Sequence, residues 1–258
     1  LCREKKMSDE ANEGVSIRSR LEAFLNTPAG CDGGNIEGNN WLFAIEYGGE
    51  ADLSHYDSLV VDHNHGSISK NHVSEFISSY PFNQRIAKFE AVKHGKPIEE
   101  YLDFAVKVGM FTDTSQYYKG NIGGFGFRFD DQESFQASSE KLGVSSKEEL
   151  KYLEIRVREE MFQAWVRENK PNSICCFGTS DSNRFIRAFS DQPENPECWK
   201  KLCGFWFYNE IVRDGNTALF ILPHPTARFG NGMTSDSRIT EFATLVRSTM
   251  IDAGLEIF

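Results

Sequence analysis

With 258 residues, 40% of them apolar and 13% aromatic, the chain has the material for one α/β domain with a sizeable core. No stretch approaches the roughly 20 uninterrupted apolar residues of a membrane helix. A net charge of −10 argues against a bulk electrostatic grip on nucleic acid and leaves room only for a local basic groove.

The first segment, Leu1 to Glu13, is charged and lacks the apolar run of a signal peptide, which points to a cytoplasmic protein. Residues 1–14 read as a flexible leader, with an internal start at Met7 open, and residues 15–258 as a single domain. Val15 to Leu25 has amphipathic helical spacing and ends near Pro28 and the glycines Gly30, Gly33 and Gly34. Trp41 to Ile45 is the first strand candidate. Ala51 to Ser79 is polar and weakly periodic, which predicts long loops with one helical turn. Phe82, Ile86, Phe89 and Val92 mark a helix, and Pro97 to Val108 continues in short helical pieces.

Thr112 to Ile122 reads as an irregular strand feeding the loop Gly123-Gly124-Phe125-Gly126. Ser146 followed by Glu149 has capping-box spacing and opens a long helix, with Leu150, Leu153, Val157, Met161 and Trp165 on one face and Pro171 at its close. Ser173 to Phe177 is a short apolar strand, followed by a helix through Phe185, Ile186 and Phe189. Cys203 to Val212 and Thr217 to Leu222 flank Asp214-Gly215, a hairpin signal. A last helix carries Ile239, Phe242, Ala243, Val246 and Met250. The alternation of strands and helices predicts an α/β domain with a mainly parallel central sheet and one antiparallel hairpin.

The cysteines Cys2, Cys31, Cys175, Cys176, Cys198 and Cys203 contain no CxxC pair, so buried free thiols in a reducing cytosol are expected, not a zinc or iron–sulfur site. His55, Asp62, His63, His65 and His72 cluster around "VDHNHG", but no helical spacing or fourth ligand makes them a metal site, and a polar loop is the expectation. No metal and no other cofactor is expected.

Three polar residues fall just after apolar strand candidates: Glu46, Asn121 and His224. In an open α/β sheet ligands bind outside the carboxyl ends of the strands, so a carboxylate, an amide and an imidazole converging there make a plausible site. Prolines on both sides of His224 hold it on a rigid loop.

This combination resembles the uracil-DNA glycosylase superfamily. Ile45-Glu46-Tyr47-Gly48-Gly49 looks like the family's water-activating loop after the first strand, with Glu46 at the acidic position. His224-Pro225-Thr226-Ala227 looks like its late His-Pro-Ser-Pro loop. Asn121 in "YYKGNIGGFG" is similar to the asparagine that reads the base edge, and Phe82 in "YPFNQRIAKF" to the aromatic on which the base stacks. The family's leading glycine is replaced by Ile45, its proline by Gly48 and its Ser-Pro by Thr226-Ala227.

The resemblance implies a three-layer α/β/α fold like that of uracil-DNA glycosylase, and a monofunctional enzyme cleaving the N-glycosidic bond of a flipped nucleotide. Glu46 would position water and stabilise the sugar cation. His224 would donate to a base oxygen, and Asn121 would read a pyrimidine edge. Arg228 and Phe229 would wedge into the vacated space, with Arg184, Arg187 and Arg238 contacting phosphates. The uracil-specific branch closes its pocket with a tyrosine beyond the acid. Here Gly48 or Gly49 stands there, which suggests room for a C5-modified pyrimidine and a role in defence against phage DNA. The expected partner is DNA, with no membrane and no obligate protein partner. Two other readings remain open: a non-catalytic nucleotide or modified-DNA binding protein, and a hydrolase of small N-glycosides.

Overall fold

The structure, a computed structural model, describes residues 17–27, 31, 33–45, 68–123, 142–212, 215–227 and 232–257. The expectations on the leader, on Glu46, Tyr47, Gly48, Gly49, Arg228 and Phe229, on His55, Asp62, His63 and His65, and on the loop from Gly124 to Gly126 fall outside these residues.

Helix α1 (Ile17–Leu25) precedes strands β1 (Gly33–Gly34) and β2 (Asn40–Ala44). All five residues of β2 are buried, as a strand covered on both faces requires. Helices α2 (Val73–Ser79), α3 (Pro81–Lys93) and α4 (Tyr101–Val108) follow, then β3 (Tyr117–Asn121). Pro81 opens α3, where its missing N–H would have had no helical partner. Helix α5 (Lys147–Asn169) starts on Ser146, whose Oγ accepts the Glu149 N–H at 3.1 Å. The Glu149 carboxylate does not close the box on Ser146. It accepts from Ser145 N–H (2.7 Å) and Oγ (2.6 Å), and these bonds, with Arg18, hold its carboxyl down at about 2. Strand β4 (Ser173–Phe177), α6 (Ser182–Phe189), β5 (Trp199–Leu202), β6 (Phe205–Val212), β7 (Thr217–Leu222) and α7 (Asp236–Asp252) complete the described elements.

The seven strands form one sheet in the order β1-β3-β2-β4-β7-β6-β5. The pairs β3–β2, β2–β4 and β4–β7 are parallel, whereas β1–β3, β7–β6 and β6–β5 are antiparallel. The sheet is therefore mixed, not mainly parallel as the sequence suggested. The two edge strands explain the difference. Strand β1 is two glycines, and β5 reads Trp-Lys-Lys-Leu, with Lys200 and Lys201 exposed. Neither has the apolar run that marks a strand in sequence, and charged edge strands are the usual guard against unwanted pairing.

Helices cover both faces. On one, Leu42, Tyr117, Cys175, Phe177 and Phe220 pack with Ile86 and Phe89 of α3, Phe104 of α4 and Phe242 of α7. On the other, Trp41, Phe43, Cys176 and Ile221 pack with Phe162 of α5 and Phe185 and Phe189 of α6. The neighbouring thiols of Cys175 and Cys176 thus enter opposite cores, and burial pushes the Cys175 thiol up to about 12. No helix among the described residues is long and apolar enough to cross a membrane.

At the amino ends of the parallel strands lies a buried polar network. Lys93 Nζ, fully buried, meets Glu90 Oε2 at 2.7 Å and donates to Asn40 Oδ1 at 3.0 Å. Ser173 Oγ donates to the same Asn40 oxygen at 2.9 Å, and Tyr117 OH bonds His94 Nε2 at 2.8 Å. Burial alone would raise the Glu90 carboxyl, but the Lys93 ammonium and the contact with His94 bring it below its ordinary value.

Candidate active site

The carboxyl ends of the four parallel strands form a row. Ala44 stands opposite Asn121 on one side and Phe177 on the other, and Phe177 stands opposite Leu222. Pairing continues past the row: Ile122 N–H donates to Ala44 O, Gly123 N–H to Ile45 O and Gly178 N–H to Leu222 O. From β2 the chain leads to β3 on one side, and from β4 to β7 on the other, so the row contains the switch point where α/β sheets bind ligands. Gly178, at φ +136°, lets β4 turn away here, and a Cβ at this position would collide with the Ile45 side chain.

The period of two sends Tyr117, Lys119 and Asn121 to one face, the face covered by α3. There Phe82, in the first turn of α3, stands edge-on to Phe177 with ring centres 6.1 Å apart. The His224 ring lies 5.4 Å from the Phe82 ring, inclined by 40°. Lys119 Nζ sits over the Phe82 ring, 5.1 Å from its centre, and donates to Asn83 Oδ1 at 2.8 Å. Phe76 and Phe111 complete an aromatic cage around that ammonium, at 5.7 and 5.8 Å.

His224 follows the buried Pro223 and precedes the buried Pro225. The backbone N–H of Thr226 donates to His224 Nδ1 at 3.2 Å. Nδ1 is then an acceptor, and the neutral ring carries its proton on Nε2. Burial, and then the nearby Arg85 guanidinium, lower the His224 pKa from its ordinary 6.5, so the ring is neutral at pH 7. Among the described residues none bonds Nε2. The loop is packed tightly from below, since a Cβ at Gly232 would collide with the His224 carbonyl.

On the opposite face, Arg158 is fully buried and donates to the carbonyls of Asn121 (3.0 Å) and Ile122 (3.1 Å). Arg184 approaches the same Ile122 carbonyl at 3.4 Å and lies 3.8 Å from both Glu154 and Asp181.

No protein-family model matches the chain, and no curated protein matches it in sequence.

Of the residues singled out from the sequence, Asn121, Phe82 and His224 are brought to one end of the sheet, and Asn121 is buried. Ile45, the residue before Glu46, is described at the same row. Arg184 has a side chain only 7% exposed and turned onto internal partners at the end of β3. Arg187 is exposed but held by Glu159 at 2.9 Å. Arg238 donates to Gly232 O at 3.1 Å and lies over Phe205. His72 bonds Ser69 Oγ on the surface. Among the described residues no group of three or more His, Cys, Asp or Glu side chains is placed to hold a metal ion.

Sequence reasoning missed Arg85 and Lys119. Arg85 Nη1 donates to Pro225 O at 2.6 Å, tying α3 to the His224 loop. Its signal is its place one helical turn after Phe82 in "YPFNQRIAKF". Lys119 could have been found from its spacing of two from Asn121 on the same strand face.

Proposed function

We infer that the protein is a DNA glycosylase that hydrolyses the N-glycosidic bond of a flipped-out uracil or C5-modified pyrimidine. The observation that carries this reading is His224: a neutral imidazole whose Nε2–H has no partner among the described residues, packed against an aromatic ring beside the row that ends in Asn121. Such a donor suits an acceptor that gains negative charge during reaction, as a pyrimidine carbonyl oxygen does when its glycosidic bond breaks. The bond's electron pair leaves with the base, the sugar C1′ becomes cation-like, and water adds there. Glu46, following Ile45 at the carboxyl end of β2, would accept the water's proton. Asn121 would read the base edge and Phe82 would take its face. The sequence resemblance to the uracil-DNA glycosylase superfamily supports the same assignment, and glycine at positions 48 and 49, where the uracil-specific branch carries a tyrosine, favours a bulky C5 substituent.

Duplexes carrying uracil, hydroxymethylcytosine or glucosylated cytosine, incubated with the protein and cleaved with alkali, test it. Strand breaks at one of these bases, reduced about 100-fold or more in Glu46→Gln, are the expected result. Intact strands across the panel would favour instead a non-catalytic protein that binds nucleotides or modified DNA.

A further inference from the structure

We propose that Arg85 is a positioning residue for His224, a role that rests on the glycosylase reading of the same site. Its guanidinium, one helical turn beyond Phe82, bonds the Pro225 carbonyl at 2.6 Å and so straps the His224 loop to the helix that presents the stacking ring. One short segment of α3 thereby serves three groups. Phe82 faces the imidazole, Asn83 holds the Lys119 ammonium, and Arg85 fixes the backbone directly after His224.

The strap has a consequence for the proton on the ring. Thr226 N–H can donate to Nδ1 only while the Pro225–Thr226 peptide keeps its orientation, and the carbonyl of that same peptide is the one Arg85 holds. The bond from Arg85 to one side of the peptide thus maintains, on its other side, the bond that leaves Nε2 as the protonated nitrogen. Arg85 also places a positive charge beside a half-buried imidazole, which opposes a second proton. The other charged groups on the surrounding described elements have their own partners: Lys119 lies over the Phe82 ring and donates to Asn83, Lys88 is bound to Asp236, and Arg238 donates to Gly232. Losing the strap would leave the donor both misdirected and more readily turned into a cation.

The test uses the full chain in three variants: Arg85→Met removes donor and charge, Arg85→Gln keeps a donor without charge, and Arg85→Lys keeps charge on a different shape. Long-range proton–nitrogen NMR correlations of the His224 ring report its tautomer and its titration midpoint, and single-turnover excision reports its use. In Arg85→Met the midpoint is expected to rise, the ring to lose its pure Nε2–H form, and the maximal single-turnover rate to fall roughly 10- to 100-fold with little change in the half-saturating enzyme concentration. Arg85→Gln is expected to retain the tautomer but raise the midpoint, and Arg85→Lys to recover part of the rate. An Arg85→Met protein that folds, with its His224 signals and excision rate unchanged, would overturn the proposal. If the wild-type protein excises no base, the glycosylase reading fails, and the His224 signals still decide whether the strap fixes the ring.

Discussion

The two ends of the parallel strands hold their polar side chains in different ways. At the amino end, Lys93, Glu90, Asn40 and Ser173 are sealed in the core and bound to one another. At the carboxyl end, His224 is fixed on one nitrogen and uncommitted on the other, among the described residues, and it is only partly buried. A buried network in low dielectric specifies structure, because removing one member leaves another buried without its partner. An open donor at a strand end is available for chemistry. The comparison predicts that stability and activity separate along the length of the same four strands.

The largest effect is expected at the sealed end. Lys93→Met leaves the Glu90 carboxylate buried without its cation and should destabilise the fold by about 3–5 kcal/mol, lowering Tm by roughly 10 °C. Thermal unfolding followed by circular dichroism measures this, and base excision by the folded fraction should be retained. A smaller and graded effect is expected from pH at the open end. The folded His224 has a lowered pKa, so above 6.5 the ring is neutral in both folded and unfolded chains. As pH falls below 6.5 the unfolded chain takes up the proton first, and only at lower pH does the folded ring become a cation. Excision should therefore be flat above that value and decline only on its acid side, in a pH–rate profile taken under single-turnover conditions. A decline that begins above pH 6.5 would show that the ring does not lie in this environment.

The contrast also explains what the sequence made legible. Strand β4 was expected and found at Ser173–Phe177, and β2 was expected one residue late, because continuous apolar runs between polar punctuation mark buried strands. Lys200 and Lys201 hid β5, and two glycines hid β1, so two of the three antiparallel pairings went unseen while the β6–β7 hairpin was expected. His224 was legible as a candidate because its prolines and the preceding strand end leave local marks, and Phe82 because its segment resembles the family's stacking position. Arg85 reaches Pro225 across 140 positions of sequence, and Lys93 reaches Asn40 across 53, so neither contact has a local signature. Arg184 looked like a surface cation because a helix of eight residues does not reveal in sequence which face a carbonyl will claim.

The most direct measurement is single-turnover release of base from a duplex carrying uracil or a C5-modified pyrimidine, made side by side on wild type, His224→Ala and Lys93→Met well below their melting temperatures. The account predicts a loss of about 100- to 1,000-fold in His224→Ala at unchanged Tm, and near wild-type release by Lys93→Met despite its lowered Tm. Release unaffected by His224→Ala, or activity and Tm falling together in both variants, would contradict it.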